Sequence, residues 1–238
     1  MVNVRARTRD MQIEDRKRSA AEAAVAEVGP GMRVGLGTGT TAAFAIDALA
    51  HRVRGGLRCQ AVATSQQTAD RAMSAGIHLM NLEDVSEIDL CIDGVDEIDA
   101  DLRAIKGAGG AMLREKIVAS AARRMVAIAD VSKAVSKLGA RPVPVELLPF
   151  ARAFVARQLT VLGCTPVLRC TDQGEPARTD QDNFVFDCHF TVIDDPVTLA
   201  RRLSAIPGII EHGLFLSEID ALYLGTANGV VRTERPIT

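Results

Sequence analysis

Between residues 32 and 130 the sequence alternates short apolar runs with longer helical ones, and most of the apolar runs end in a glycine-rich or polar segment. "MRVGLG", "LRCQAVATS", "IDLCID" and "MVAIAD" read as buried strands. "TTAAFAIDALAHRV", "QQTADRAMSAG" and "AMLREKIVASAARR" lie between them with helical spacing, and a brief further strand is expected near residues 77–80. Ahead of the first strand, "EDRKRSAAEAAVAEV" is alanine-rich and helical and ends at the stop Gly29-Pro30-Gly31. Such alternation implies βαβ units, a parallel sheet and right-handed crossovers. Ligands of these sheets gather at the carboxyl ends of the strands. Here those ends read "GLGTGTT", "ATS", "CIDGVDE" and "AIADVSK", all polar or glycine-rich.

The pattern changes near Lys137. "RPVPVELLPF" is a proline-punctuated strand and "ARAFVARQLTVLG" a helix; "TPVLRC" and "NFVFDCHF" are two strands joined by the turn-rich "TDQGEPARTDQD". "DPVTLARRLSAI" is a second helix, capped by Asp194 or Asp195 with a proline at its start. Residues 138–210 thus form a smaller antiparallel α+β domain, and residues 1–137 the larger one, to which 211–238 return.

Composition narrows the partners. The net charge is −2 with no basic block beyond the N-terminal "MVNVRARTRDMQIEDRKR", and aromatic residues are only 3%. A nucleic-acid surface normally needs a basic face or stacking aromatics. No apolar run is long enough to span a membrane, and the N-terminus lacks the apolar segment of a secretory signal. Five cysteines without a CxxC suit reduced thiols, and His51, His78, His189 and His212 show no metal-ligand spacing.

The chemistry concentrates at strand ends. In "GLGTGTTA", Gly37, Gly39 and Ala42 match the relaxed dinucleotide pattern, but the next strand ends "AVATS" without the carboxylate that a ribose would require. Thr38, Thr40 and Thr41 at a helix N-terminus fit a phosphate cradle, or a tight capped turn with no ligand. "IDGVDEID" puts Asp93 and Asp96 on a loop, as turn residues, as hydroxyl acceptors or as metal ligands lacking the calcium-loop order. In "KGAGGAMLREK", Lys106 precedes glycines that let a ligand approach the backbone, and Glu115 lies early in the next helix. Glu115 is either an exposed helix carboxylate or a general base, with Lys106 stabilising the charge that develops on oxygen. Lys133 in "ADVSK" offers a second cation for a phosphate.

Together "GLGTGTTA", "ATSQQTAD", "DGVDEID", "KGAGGAMLREK" and "ADVSK" resemble ribose-5-phosphate isomerase of the type A family in order and spacing, and "PVPVELLPFA", "NFVFDCHF" and "IPGIIEHGLF" extend the likeness into the second half. The resemblance implies a Rossmann-like larger domain with helices on both faces of its sheet, a smaller α+β domain and a homodimer or homotetramer in the cytoplasm. It implies a metal-independent, cofactor-free aldose–ketose isomerase of the non-oxidative pentose phosphate pathway, interconverting ribose 5-phosphate and ribulose 5-phosphate. By the same resemblance Thr38, Gly39, Thr40 and Thr41 bind substrate near its phosphate. Asp93 and Asp96, with Gly94 and Val95 between them, meet the sugar, and Asp93 assists ring opening. Lys106, Gly107, Ala108 and Gly109 line the reacting end, Glu115 is the general base working through a cis-enediolate, and Lys133 adds a contact.

Two positions depart from that pattern: Thr40 stands where serine is frequent, and Ala108 where the loop often has glycine. A positive φ at Ala108 would cost about 1 kcal/mol. Three other functions compete. A sugar-phosphate sensor of the repressor type should carry a helix-turn-helix and has no need of Glu115. A nucleotide-dependent oxidoreductase should carry the missing acid, and an isomerase of another sugar phosphate would share every motif.

Overall fold

In the computed structural model the described residues are 4–190 and 193–236, so the first three positions of the basic N-terminal stretch lie outside them. In chain order the elements are α1 (Val4–Val25), β1 (Arg33–Leu36), α2 (Thr40–Arg54), β2 (Gln60–Ala63), α3 (Gln66–Ser74), β3 (Leu90–Gly94), β4 (Glu97–Ile98), β5 (Ala104–Ile105), α4 (Met112–Ala121) and β6 (Met125–Asp130). There follow β7 (Val143–Leu147), α5 (Arg152–Val161), β8 (Cys164–Leu168), β9 (Phe184–Phe190), α6 (Pro196–Ser204), β10 (Ile209–His212), β11 (Leu214–Phe215), β12 (Ala221–Thr226) and β13 (Gly229–Glu234). They form two compact units: one takes the residues up to Gly94, Val118–Ala134 and those from Glu218 on, the other Val95–Ile117 and Val135–Ser217. The run Val95–Ile117 groups with the second unit because its short strands β4 and β5 join β11 in a three-stranded antiparallel sheet.

The first unit is built on a six-stranded sheet in the order β13-β12-β6-β3-β1-β2. Strands β2, β1, β3, β6 and β12 run parallel, and β13 closes the edge as an antiparallel hairpin partner of β12. Alternation along the strands shows why both faces need helices. Val34, Leu36, Leu90 and Ile92 join a core with Ala20, Ala21 and Ala24 of α1 and Ile46 and Leu49 of α2. Gly35 and Cys91, one place along, face the other way. There a Cβ built on Gly35 would come 2.5 Å from a methyl of Val118 in α4. The alanines of α1 allow a close approach to the sheet, so close that a Cβ on Gly225 of β12 would lie 2.1 Å from the Arg16 carbonyl oxygen. Helix α1 starts earlier than its alanine-rich core suggests and ends at Val25, ahead of the glycine-proline stop. The strand expected near residues 77–80 is reduced to one bridge, Ala61 to Leu79.

The second unit carries a four-stranded antiparallel sheet, β10-β7-β9-β8, with α5 and α6. Val143, Val145, Leu147, Phe184 and Phe186 from the strands pack with Val155 and Leu159 of α5 and Leu203 of α6. Asp195 caps α6 by accepting from the Thr198 N–H at 3.0 Å, with Pro196 beginning the helix. Within this apolar sheet Glu146 of β7 is fully buried, opposite Glu211 of β10. Its Oε1 accepts from the Thr179 hydroxyl (2.8 Å) and the Asn183 amide (2.9 Å), whereas Oε2 has no hydrogen-bond partner among the described residues.

Burial pushes the Glu146 carboxyl above its ordinary range, against those two hydrogen bonds, which favour ionisation. The folded chain therefore holds this proton to a higher pH than the unfolded chain. Its contribution to stability is complete below the ordinary carboxylate pKa and is lost as pH rises through the raised value. Glu146→Gln is expected to be more stable than wild type at pH 8, with the gap narrowing as pH falls toward 4. Urea titrations across that range would show it, and a gap that widens toward acid would contradict the assignment.

No helix among the described residues is long and apolar enough to cross a membrane. Cys59, Cys91, Cys164, Cys170 and Cys188 are free thiols.

Candidate active site

In the first unit the chemistry gathers where the sheet order reverses. The crossover from β1 to β2 runs one way and β3 lies on the other side of β1, which opens the ends of β1 and β3 to a ligand. The Gly37 N–H donates to the Ile92 carbonyl at 3.0 Å, carrying the β1–β3 ladder one residue into the loop. Asp93 follows, fully buried, with Oδ1 accepting from the Gly94 N–H at 2.7 Å. Only a residue without a side chain fits at 37: a Cβ there would stand 1.8 Å from Asp93 Oδ1.

Gly39, with φ of 111°, then turns the chain into α2, and no side chain caps that helix. Its first-turn N–H groups and the positive end of its dipole face forward from Thr40 and Thr41, as an anion site requires. Thr40 Oγ1 is exposed and accepts from Lys17 Nζ of α1 at 3.2 Å, so a cation already stands at this N-terminus. Thr41 is buried beside Gly94, where a Cβ would lie 3.4 Å from that of Thr41.

Thr38 plays a different part. Its hydroxyl donates to Ser65 Oγ at 2.8 Å and lies 2.9 Å from Thr64 Oγ1 and 3.1 Å from Thr68 Oγ1. Thr64 and Thr68 in turn donate to the carbonyls of Leu36 and Gly37. The side chain of Thr38 thus ties the glycine loop to the end of β2 and the start of α3. Lys133 stands on the turn after β6, where Asp130 Oδ1 accepts from the Ser132 N–H at 2.9 Å.

In the second unit Lys106 and Glu115 are both buried, and Lys106 Nζ lies 3.2 Å from Glu115 Oε2. The Lys106 N–H donates to the Gly213 carbonyl at 2.8 Å, which fixes the residue at the end of β5. The ring of Phe215 lies 5.4 Å from Lys106 Nζ and 4.9 Å from Lys116 Nζ. Glu115 occupies the first turn of α4, and Lys116 beside it donates to Glu211 Oε1 and the His212 carbonyl, both at 2.7 Å. A buried carboxylate facing a buried ammonium is an arrangement able to exchange a proton without leaving a lone charge in the interior.

The remaining acids between Asp93 and Lys106 bond to backbone N–H groups or to arginine. Asp96 Oδ2 accepts from the Ala108 N–H at 2.9 Å and so holds the loop after Lys106. Glu97 accepts from the backbone of Gly139 and Arg141, and Asp99 accepts from the Asp101 and Arg103 N–H groups while pairing with the Arg103 guanidinium at 2.7 Å. Glu97, Asp99 and Asp101, which ion-pairs with Arg103, are scaffold. Among the described residues no cluster of three His, Cys, Asp or Glu side chains could hold a metal ion.

The sequence profile of ribose 5-phosphate isomerase A (phosphoriboisomerase A) matches residues 60–229. The chain belongs to that family. It is 46% identical to the ribose-5-phosphate isomerase A of Parvibaculum lavamentivorans over 225 residues, 92% of this chain and 97% of that one. The protein of the same name from Roseiflexus castenholzii is 49% identical over 223 residues, 92% and 95% of the two chains. Among solved structures, ribose 5-phosphate isomerase A of Methanocaldococcus jannaschii matches with a TM-score of 0.89 at 38% identity, covering 93% of this chain and 99% of its own. A D-ribose-5-phosphate isomerase in complex with phospho-erythronic acid matches with a TM-score of 0.91 at 35% identity, covering 94% and 99%.

Against the isomerase A pattern, the substitution at Ala108 costs no backbone strain. Among the described residues only Leu102 and Asp182 are non-glycines with positive φ; in this loop Gly107 (101°) and Gly110 (78°) take the left-handed positions. Three features of the site escape sequence reasoning. Lys17 lies in a helix crowded with charges, and nothing in its spacing distinguishes it. The hydroxyls of Thr64, Ser65 and Thr68 lie in "ATSQQT", whose polar strand end was the only signal. Phe215 sits on a two-residue strand with no periodicity to read.

Proposed function

We propose that this chain interconverts D-ribose 5-phosphate and D-ribulose 5-phosphate by proton transfer between C1 and C2, without a metal, in the non-oxidative pentose phosphate pathway. Membership of the isomerase A family over most of the chain supports the substrate, and the buried Lys106–Glu115 pair at 3.2 Å is the observation that carries the chemistry.

The Thr40 and Thr41 N–H groups, the exposed Thr40 hydroxyl and the Lys17 and Lys133 ammonium groups bind the phosphate; Thr38 and Gly39 shape that loop. Asp93 accepts a sugar hydroxyl proton as the ring opens, and Asp96 holds the loop of Gly107, Ala108 and Gly109 against the reacting end, with Gly94 and Val95 linking the two acids. Glu115 takes the C2 proton of the open-chain aldose, and the negative charge moves to O1 as the C1–C2 enediolate forms. The O2 proton passes to O1, and Glu115 returns its proton to C1, which leaves the C2 ketone. Lys106 is paired throughout, first with the carboxylate and then with the enediolate, so the charge shift occurs against a fixed cation.

The protein acts in the cytoplasm as a homodimer or homotetramer; its free thiols support the compartment, and sedimentation velocity decides the assembly. The test of function is ribulose 5-phosphate formation from ribose 5-phosphate in EDTA. Turnover unchanged by the chelator is the expected result. Turnover that collapses and returns with a divalent ion would remove the metal-free mechanism.

A further inference from the structure

One side chain outside the assigned site controls the direction of the loop after Lys106. Arg169, just past β8, forks onto Asp187 of β9, with Nε 3.0 Å from Oδ2 and Nη2 2.5 Å from Oδ1. Its remaining nitrogen, Nη1, donates to the carbonyl oxygens of both Gly107 and Ala108 at 3.1 Å. Four of the five guanidinium N–H bonds are thereby spent in a planar arrangement that no other side chain can copy. The backbone of Arg169 is fixed as well, donating to the Val185 carbonyl and accepting from the Ala177 N–H, both at 2.9 Å.

The consequence lies on the other side of the two peptides. In a trans peptide the N–H points opposite to the carbonyl of the same unit. With the Gly107 carbonyl turned to Arg169, the Ala108 N–H points away and is taken by Asp96. With the Ala108 carbonyl turned the same way, the Gly109 N–H points away too, and among the described residues it has no acceptor. The turn is closed by the Gly110 N–H donating to the Gly107 carbonyl at 2.9 Å. A charged donor on a carbonyl also polarises its amide and strengthens the N–H behind it.

We propose that Arg169 is a positioning residue that presets the Gly109 N–H as the second donor, beside Lys106, for the oxygen that gains charge in the enediolate. This rests on the isomerase reading above. It assigns Arg169 to the transition state and not to ground-state binding, since the donor matters most when the oxygen is negative.

The experiment compares wild type with Arg169→Lys, which keeps the positive charge beside Asp187 but gives up the fork. Lowered kcat by about 10- to 100-fold with KM for ribose 5-phosphate nearly unchanged is expected, a share of the loss typical for an oxyanion donor. Phospho-erythronic acid, whose carboxylate imitates the charged end, should bind at least about tenfold more weakly, and inorganic phosphate as well as before. A purely structural role would weaken both anions together or neither. Unchanged kcat and unchanged acid affinity would overturn the proposal. If Arg169→Lys does not fold, the double variant Arg169→Met/Asp187→Leu removes the ion pair whole; full kcat in that folded protein overturns the proposal, and the same selective loss upholds it. An inactive wild type would sink the isomerase reading itself, whereas an active wild type beside an equally active variant would sink only the role of Arg169.

Discussion

Glu115→Gln is expected to bind the substrate phosphate normally and to lose kcat by roughly 10²- to 10⁴-fold, the usual contribution of a general base. Glutamine fills the same volume in α4 and still offers an oxygen toward Lys106, so the loss would reflect proton transfer and not a collapsed site. The variant should also fail to exchange the substrate's C2 proton with deuterium from solvent, the more direct reading of the same step. A second effect follows from burial. Lys106 and Glu115 are 2% and 3% exposed, and neutralising one charge of such a buried pair is a change worth roughly 3–5 kcal/mol. Glu115→Gln should therefore melt several degrees lower, and adding Lys106→Met should recover much of that stability with no return of activity. Near-normal turnover in the single variant would remove Glu115 from the mechanism. A stable single variant that is inactive would keep the base and discard the energetic argument for the pair.

The large sheet was legible because its signal is long and redundant. Four of its strands, β1, β2, β3 and β6, read as short apolar runs followed by a glycine or a polar residue, with helical spacing between them. The three-stranded sheet of β4, β5 and β11 was not, because strands of two residues carry no period at all. At the site, sequence gives residue types but not direction. Asp93, Asp96, Lys106 and Glu115 read from sequence as site residues, yet Asp96 accepts from the Ala108 N–H, just as the neighbouring Glu97 and Asp99 accept from backbone N–H groups. Nothing in the order of these charges shows which face an opposite charge, as Lys106 and Glu115 do, and which hold backbone. Thr38 shows the same limit, since a hydroxyl that reads as a ligand donor is tied to Thr64, Ser65 and Thr68. Arg169 is harder still, lying in sequence 61 residues from the carbonyl it holds, with only the fold to join them.

Gly37→Ala is expected to cost most of the activity and a large part of the stability, although it adds a single methyl group. The added carbon would stand 1.8 Å from Asp93 Oδ1, 2.0 Å from Cγ and 2.6 Å from Cβ, distances at which no real pair of atoms sits. Neither partner can give way easily. Residue 37 is bonded to the Ile92 carbonyl, and Asp93 is locked into β3 with β1 on one side and β6 on the other. Overpacking of this kind typically costs 1–3 kcal/mol where neighbours can shift, so roughly the upper end of that range applies here. The carboxylate that must move is one assigned to the sugar, so kcat/KM should fall by about 10²-fold, the scale of a 1 Å displacement in a positioned group. Gly39→Ala in the same loop is the control. Its φ of 111° with ψ of −178° lies in an extended region that glycine alone adopts readily, so alanine there costs roughly 1–3 kcal/mol of backbone strain, with nothing within 4 Å of the new carbon. The decisive comparison adds Asp93→Gly to Gly37→Ala: if the clash is the cause, stability returns while activity does not. No recovery of stability in the double variant would mean that loop conformation, and not the space claimed by Asp93, requires glycine at 37.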